Sequence, residues 1–190
     1  NTVRIWDRVT GQSIAKLGPE PDGNCYAVAF SPDGTRFVSA YSTGMIHIWD
    51  ARSHQKLITK KTGLGTLYHV TFSPDSKYFA TTSYNNTVSI WQTANGKHVR
   101  MLKHTRNIKN GQASQVRAAT FSPDGNWLVA AGSSGTLQIW NTKLWLPLNQ
   151  LSHHDRRVHA IAFSPDGKYL ASASEDQTAR SKGNKLMAPR

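Results

Sequence analysis

The sequence predicts an all-β chain built from tandem repeats. Two short motifs recur in step, the segments between turns alternate apolar and polar residues, and no helical period survives the punctuation. Phe30-Ser-Pro-Asp-Gly34 returns as Phe72-Ser-Pro-Asp-Ser76, Phe121-Ser-Pro-Asp-Gly125 and Phe163-Ser-Pro-Asp-Gly167, at spacings of 42, 49 and 42. Ile5-Trp6-Asp7 returns as Ile48-Trp49-Asp50, Ile90-Trp91-Gln92 and Ile139-Trp140-Asn141, spaced 43, 42 and 49. Both series carry the same long step, so about seven residues are inserted between Trp91 and Phe121, at Arg106 to Ser114.

Within one repeat, Tyr26 to Phe30 alternates and reads as a strand, followed by a turn, by Arg36 to Ala40 and by Met45 to Trp49. The turn has its own chemistry: Pro fixes φ, the Asp side chain caps the turn, and Gly takes the positive φ that closes it. Asp33, Asp75, Asp124 and Asp166 are therefore expected to be structural. Ser76 replaces the Gly in the second copy, which predicts a looser turn there.

Composition narrows the function classes. The 190 residues hold 23 Lys+Arg against 11 Asp+Glu, a formal net charge of +12, and no run of apolar residues approaches the length of a spanning helix. One cysteine, Cys25, excludes an intrachain disulfide and a Cys-rich zinc site. With no signal peptide and no initiator Met, the expectation is an intracellular protein, cytoplasmic or nuclear and not secreted, with a processed or fragmentary start.

These two phase-locked markers resemble those of the WD-repeat (Trp-Asp) β-propellers, over about residues 1 to 178. The resemblance implies four-stranded antiparallel blades, strand a innermost and strand d outermost. It makes Trp6, Trp49, Trp91 and Trp140 core residues of strand c. It also implies a polar tetrad of His, Ser/Thr, Asp and Trp, of which only the Trp is kept in all four Ile-Trp copies. Thr43, Asn85 and Ser134 stand where the turn Asp belongs and Asp176 alone matches, which predicts a weakened inter-strand polar network.

On this pattern residues 1–17 form half a blade, full blades lie at about 25–60, 67–102 and 116–151, and a partial blade occupies 158–178. Residues 179–190 carry four basic residues and no acid, and read as a disordered tail or a truncation. Four blade-equivalents fall short of a seven-blade ring, so the propeller is expected to be incomplete or completed by a longer parent chain, a partner or a second copy.

No catalytic constellation emerges: the sequence lacks a nucleophile elbow, a phosphate loop and a zinc-protease helix, and the expectation is a non-enzyme without cofactors. His153, His154, Asp155 and His159 do not form a tight pair of ligand pairs, so no metal is expected. Trp127 and Trp145 fall outside the strand-c packing position, and either could be exposed.

Charge is where this chain is individual. Between Asp75 and Asp124 there is no acid, while Lys77, Lys97, Arg100, Lys103, Arg106, Lys109 and Arg117 are basic. In antiparallel blades the d-to-a and b-to-c connections share one face and the a-to-b and c-to-d connections the other. The acidic turns thus gather on one face, while Lys103, Arg106, Lys109, Arg156 and Arg157 gather opposite. In the resembled family that opposite face, the top, receives ligand peptides, and Tyr26, Tyr68, Arg117 and His159 would rim its centre. The expected function is a scaffold for an acidic or phosphorylated protein. A phosphate- or nucleic-acid-binding module, or the regulatory propeller of a longer signalling enzyme, is the alternative.

Overall fold

The computed structural model describes residues 1–18, 21–104, 115–152 and 154–183. These form seventeen strands and no helix. A two-stranded sheet, β1 (Val3–Trp6) and β2 (Ser13–Leu17), comes first. The first four-stranded sheet holds β3 (Cys25–Phe30), β4 (Arg36–Tyr41), β5 (Met45–Asp50) and β6 (Lys56–Lys61). The second holds β7 (Leu67–Phe72), β8 (Tyr78–Ser83), β9 (Thr87–Gln92) and β10 (His98–Lys103). The third holds β11 (Val116–Phe121), β12 (Trp127–Gly132), β13 (Thr136–Asn141) and β14 (Leu146–Ser152). A three-stranded sheet of β15 (Val158–Phe163), β16 (Tyr169–Ser174) and β17 (Ala179–Gly183) ends the series. Every sheet is an antiparallel meander, and β3, β7, β11 and β15 pack in sequence against one another. The sheets stay open, as in an incomplete propeller.

The strand β17 corrects the tail reading for residues 179–183; residues 184–190 lie outside the described residues. Ala179-Arg-Ser-Lys-Gly183 has almost no apolar alternation, yet it pairs with β16 from Ala173↔Ala179 to Tyr169↔Gly183. Backbone hydrogen bonds to an existing strand outweigh its weak strand propensity. The insertion proposed at 106–114 lies outside the described residues.

Apolar faces between sheets form the core. Val38, Ile46 and Ile48 of one blade meet Leu67, Phe72, Phe79 and Trp91 of the next. Ala80, Val88 and Ile90 meet Val116, Phe121, Leu128 and Trp140 in the same way. Trp49, Trp91 and Trp140 are buried. Trp6 departs from the expected core role: it is 57% exposed, because β1 has only β2 beside it.

The a–b turns share one hydrogen-bonding scheme. Ser31 donates its hydroxyl to Asp33 (2.6 Å), which accepts the Thr35 N–H (2.9 Å), while the Arg36 N–H closes on the Ser31 hydroxyl (3.0 Å). Ser73 with Asp75 and Ser164 with Asp166 repeat it at 2.6 Å. The Ser76 turn is not looser. Ser76 takes φ 60° beside 69° for Gly34, and each N–H reaches the first turn Ser carbonyl at 2.9 Å. Its hydroxyl also accepts the Asp33 N–H of the preceding blade at 3.1 Å, a tie that Gly could not make.

Candidate interaction face

The first strand of each blade begins with a bulge. Cys25 lies opposite Tyr41 and Ala27 opposite Ala40, leaving Tyr26 between them without a cross-strand partner. The same skip isolates Tyr68 between Leu67 and His69, Arg117 between Val116 and Ala118, and His159 between Val158 and Ala160. A bulge re-aims the side chain of its extra residue. Four successive blades therefore present the side chains that the sequence placed at the rim.

The structure brings three of them together. Tyr26, 52% exposed, stacks on Tyr68 with ring centroids 6.2 Å apart and planes 24° from parallel. The Arg117 guanidinium carbon lies 3.8 Å from the Tyr68 ring centroid, within cation–π range. Arg117 donates from Nη2 to Gln115 Oε1 at 2.7 Å, while its buried Nε has no hydrogen-bond partner. Among the described residues no ion pair neutralises Arg117. His159 is exposed at the same register position in β15.

The other predicted basic residues lie around this row. Lys103 ends β10 and is exposed, as is Lys61 at the end of β6. Arg156 is exposed and Arg157 half-buried in the loop before β15, with the Arg157 carbonyl held by the Ser174 hydroxyl (2.9 Å) and the Glu175 N–H (2.9 Å). Asp155 and Glu175 are exposed on the same face, which places Arg156 and Arg157 among carboxylates as well as cations. Arg106 and Lys109 lie outside the described residues.

Each loop entering a blade is anchored by a side chain inserted into that blade, and the sequence motifs pointed to none of these anchors. Asp22 Oδ2 meets the buried His47 Nε2 at 2.9 Å. Leu64 is buried in the core below the second loop. His104, buried, reaches the Ala130 carbonyl through Nε2 at 3.1 Å. His154, whose side chain is fully buried, bonds Ser172 Oγ through Nε2 and Asp176 Oδ2 through Nδ1, both at 2.8 Å. The Thr178 hydroxyl and then His154 hold the Asp176 carboxyl well below the usual carboxylate range, against the opposing effect of burial. His104 and His154 recur nearly in step with the repeat, and that spacing was the signal available in the sequence.

The strand side of the network is divided differently. Trp49 Nε1 donates to Ser39 Oγ and Trp91 Nε1 to Thr81 Oγ1, each at 2.9 Å. Ala130 takes the hydroxyl position in the third full blade, and in the last sheet Lys182 lies opposite Leu170 where the Trp would be. In the middle blade Asn85 substitutes for the turn Asp, accepting from Ser83 (2.5 Å) and Thr87 (2.6 Å). The polar ties are thus redistributed among the blades, and Ser172, His154 and Asp176 act as a staple between two of them.

A family profile described as WD domain, G-beta repeat, matches residues 11–50, 56–92, 102–141 and 145–181. The chain belongs to the WD-repeat family. Repeats of this family generally serve as protein-interaction scaffolds, are typically non-catalytic and typically bind other proteins. No curated protein matches the chain. Among the described residues of this WD-repeat chain, no group of three or more His, Cys, Asp or Glu side chains is placed to hold a metal ion, and His153 lies outside them. Among the described residues no helix is long and apolar enough to cross a membrane.

Proposed function

We propose that the bulge-lined face is a docking surface for an acidic or phosphorylated protein segment, held by the row Tyr26, Tyr68 and Arg117 with Lys103, Arg156 and Arg157 around it. The observation that carries this reading is the Arg117 guanidinium, stacked on Tyr68 at 3.8 Å and in no ion pair among the described residues. A planar fork already oriented on a ring loses little entropy when it grips a carboxylate or phosphate. The aromatic pair supplies rigid contact area beside it. The blades fix the loops, so the protein acts by presenting a surface and performs no chemistry on its partner. A single half-buried thiol, Cys25, agrees with a reducing intracellular setting, and a strand-completing parent or partner chain fits the open sheets.

The deciding experiment is titration of the chain with a glutamate-rich peptide and its phosphoserine counterpart, with charge reversal at Arg156 and Arg157 as the comparison. Binding that falls with salt and is abolished in R156E/R157E, at unchanged melting temperature, supports the reading. Unaltered affinity in that double variant removes it.

A further inference from the structure

The opposite face carries a cavity that the docking surface does not use. The a–b turns of the second and third four-stranded blades, with the c–d turn of the third, enclose about 280 Å³. Tyr78, Phe121 and Trp145 line it, together with Asp75, Asp124 and Lys143. Tyr78 and Trp145 meet edge to face, ring centroids 6.1 Å apart and planes at 83°.

Trp145 sits there in an unfavourable backbone conformation. Its φ of 55° falls at the turn position that Gly11 (69°), His54 (58°) and Gly96 (64°) occupy in the other blades. A bulky side chain at positive φ is strained and points to a local role. At the preceding blade junction the corresponding places hold Arg36 and Gly96, and Arg36 is paired with Asp50 at 2.8 Å. Where that junction has Arg36 and Gly96, the cavity junction has the rings of Tyr78 and Trp145, and its cation is Lys143 on the c–d turn.

The two carboxylates supply negative charge with few acceptor positions left. Asp75 Oδ1 accepts from Ser73 (2.6 Å) and the Lys77 N–H (3.1 Å), and its Oδ2 lies 3.7 Å from Lys77 Nζ. Asp124 Oδ1 accepts from Ser122 and the Asn126 N–H (3.0 Å), and Oδ2 from Asn126 Nδ2 (2.8 Å). A cation rich in N–H donors would compete with these bonds. A methylated ammonium needs none and is attracted by aromatic faces and by fixed negative charge.

We propose that the cavity lined by Tyr78, Phe121 and Trp145 binds a quaternary methylammonium group, as on a trimethylated lysine side chain or a free choline-like cation. Lys143 is the resident opposing charge and tunes the affinity downward.

The test is calorimetric titration of the full chain with tetramethylammonium chloride, a trimethyl-lysine peptide and its unmodified lysine twin. The trimethyl peptide should bind at least about 10-fold tighter than its twin. Trp145→Gly, which also relieves the positive φ, should abolish this binding, Asp124→Asn should weaken it several-fold and Lys143→Ala should strengthen it. Arg117→Ala, on the other face, should leave it unchanged, which keeps the test separate from the docking surface. Binding of tetramethylammonium without the peptide assigns the site to a free cation. No saturable binding, equal affinity for the unmodified peptide, or indifference to both Trp145→Gly and Asp124→Asn overturns the proposal.

Discussion

Arg117 lies over Tyr68 at 3.8 Å, and Tyr68 in turn stacks on Tyr26, so bulges of three consecutive blades build one continuous row. None of the three residues is adjacent in sequence, and only the alignment of the inner strands joins them. Arg117→Ala is expected to weaken binding of an acidic peptide by about 30-fold, roughly 2 kcal/mol, as for a central anchor. Arg117→Lys should recover only part, since an ammonium lacks the planar fork that lies on the ring. Melting temperatures close to the parent's in both variants would locate the loss in binding.

Ser76 offers a test of the tie between blades. Ser76→Ala removes the acceptor of the Asp33 N–H and keeps a Cβ at φ 60°, so it should destabilise by about 1 kcal/mol. Ser76→Gly loses the same bond but relieves the conformation by a similar amount, and should fall within about 0.5 kcal/mol of the parent. Urea unfolding of the two variants checks the order. Equal destabilisation would mean that the backbone conformation carries no cost here.

The turns and the strand spacing were legible because they are local: Ser31, Asp33 and Gly34 make their bonds within five residues of one another. What the sequence hid depends on neighbours. The stacking of Tyr26 on Tyr68 needs the bulge, which is a property of two paired strands. The strand Ala179–Gly183 forms on β16 despite a composition that reads as tail. Trp145 occupies a turn position where Gly stands in two other blades, and no local rule foretells a Trp there. Trp6 carries the core motif but lacks the third strand that would cover it.

His69 predicts a specific acid sensitivity. It follows Tyr68 at the register position held by Ala27, Ala118 and Ala160 in the other blades, and its buried Nδ1 has no hydrogen-bond partner. Burial pushes its pKa below the usual histidine value. A depressed folded-state pKa means that the unfolded chain takes up the proton first. The His69 contribution is present above the unfolded value, about 6.5, and is lost as pH falls through the lower folded value. His69→Ala should therefore flatten the melting-temperature profile below about pH 6.5. The turn carboxylates follow the same sign at lower pH. Ser31 holds Asp33 down, and Ser164 does so for Asp166, so their contribution disappears only below about pH 4. A His69→Ala profile parallel to the parent's through the upper window would assign the sensitivity elsewhere.

Lys182 gives the last prediction, because its place in the ladder is that of the buried tryptophans. It lies opposite Leu170, as Trp49 lies opposite Phe37, Trp91 opposite Phe79 and Trp140 opposite Leu128. The space beside it is a cavity of about 310 Å³ floored by Leu137, Leu151 and Leu170. Ser172 stands two residues after Leu170, as Ser39 does after Phe37, and Ser39 accepts the Trp49 indole N–H at 2.9 Å. Lys182→Trp should place an indole on that apolar floor with Ser172 as its acceptor, completing the His, Ser, Asp and Trp set begun by His154 and Asp176. Burial of the ring is worth about 1–2 kcal/mol once the lysine's own contacts are lost. The measurement is urea unfolding of Lys182→Trp beside Lys182→Ala, which removes the same contacts and fills nothing. A gain in the Trp variant alone would show that the last sheet keeps a tryptophan-shaped site, and a loss in both would show that Lys182 is itself the better occupant.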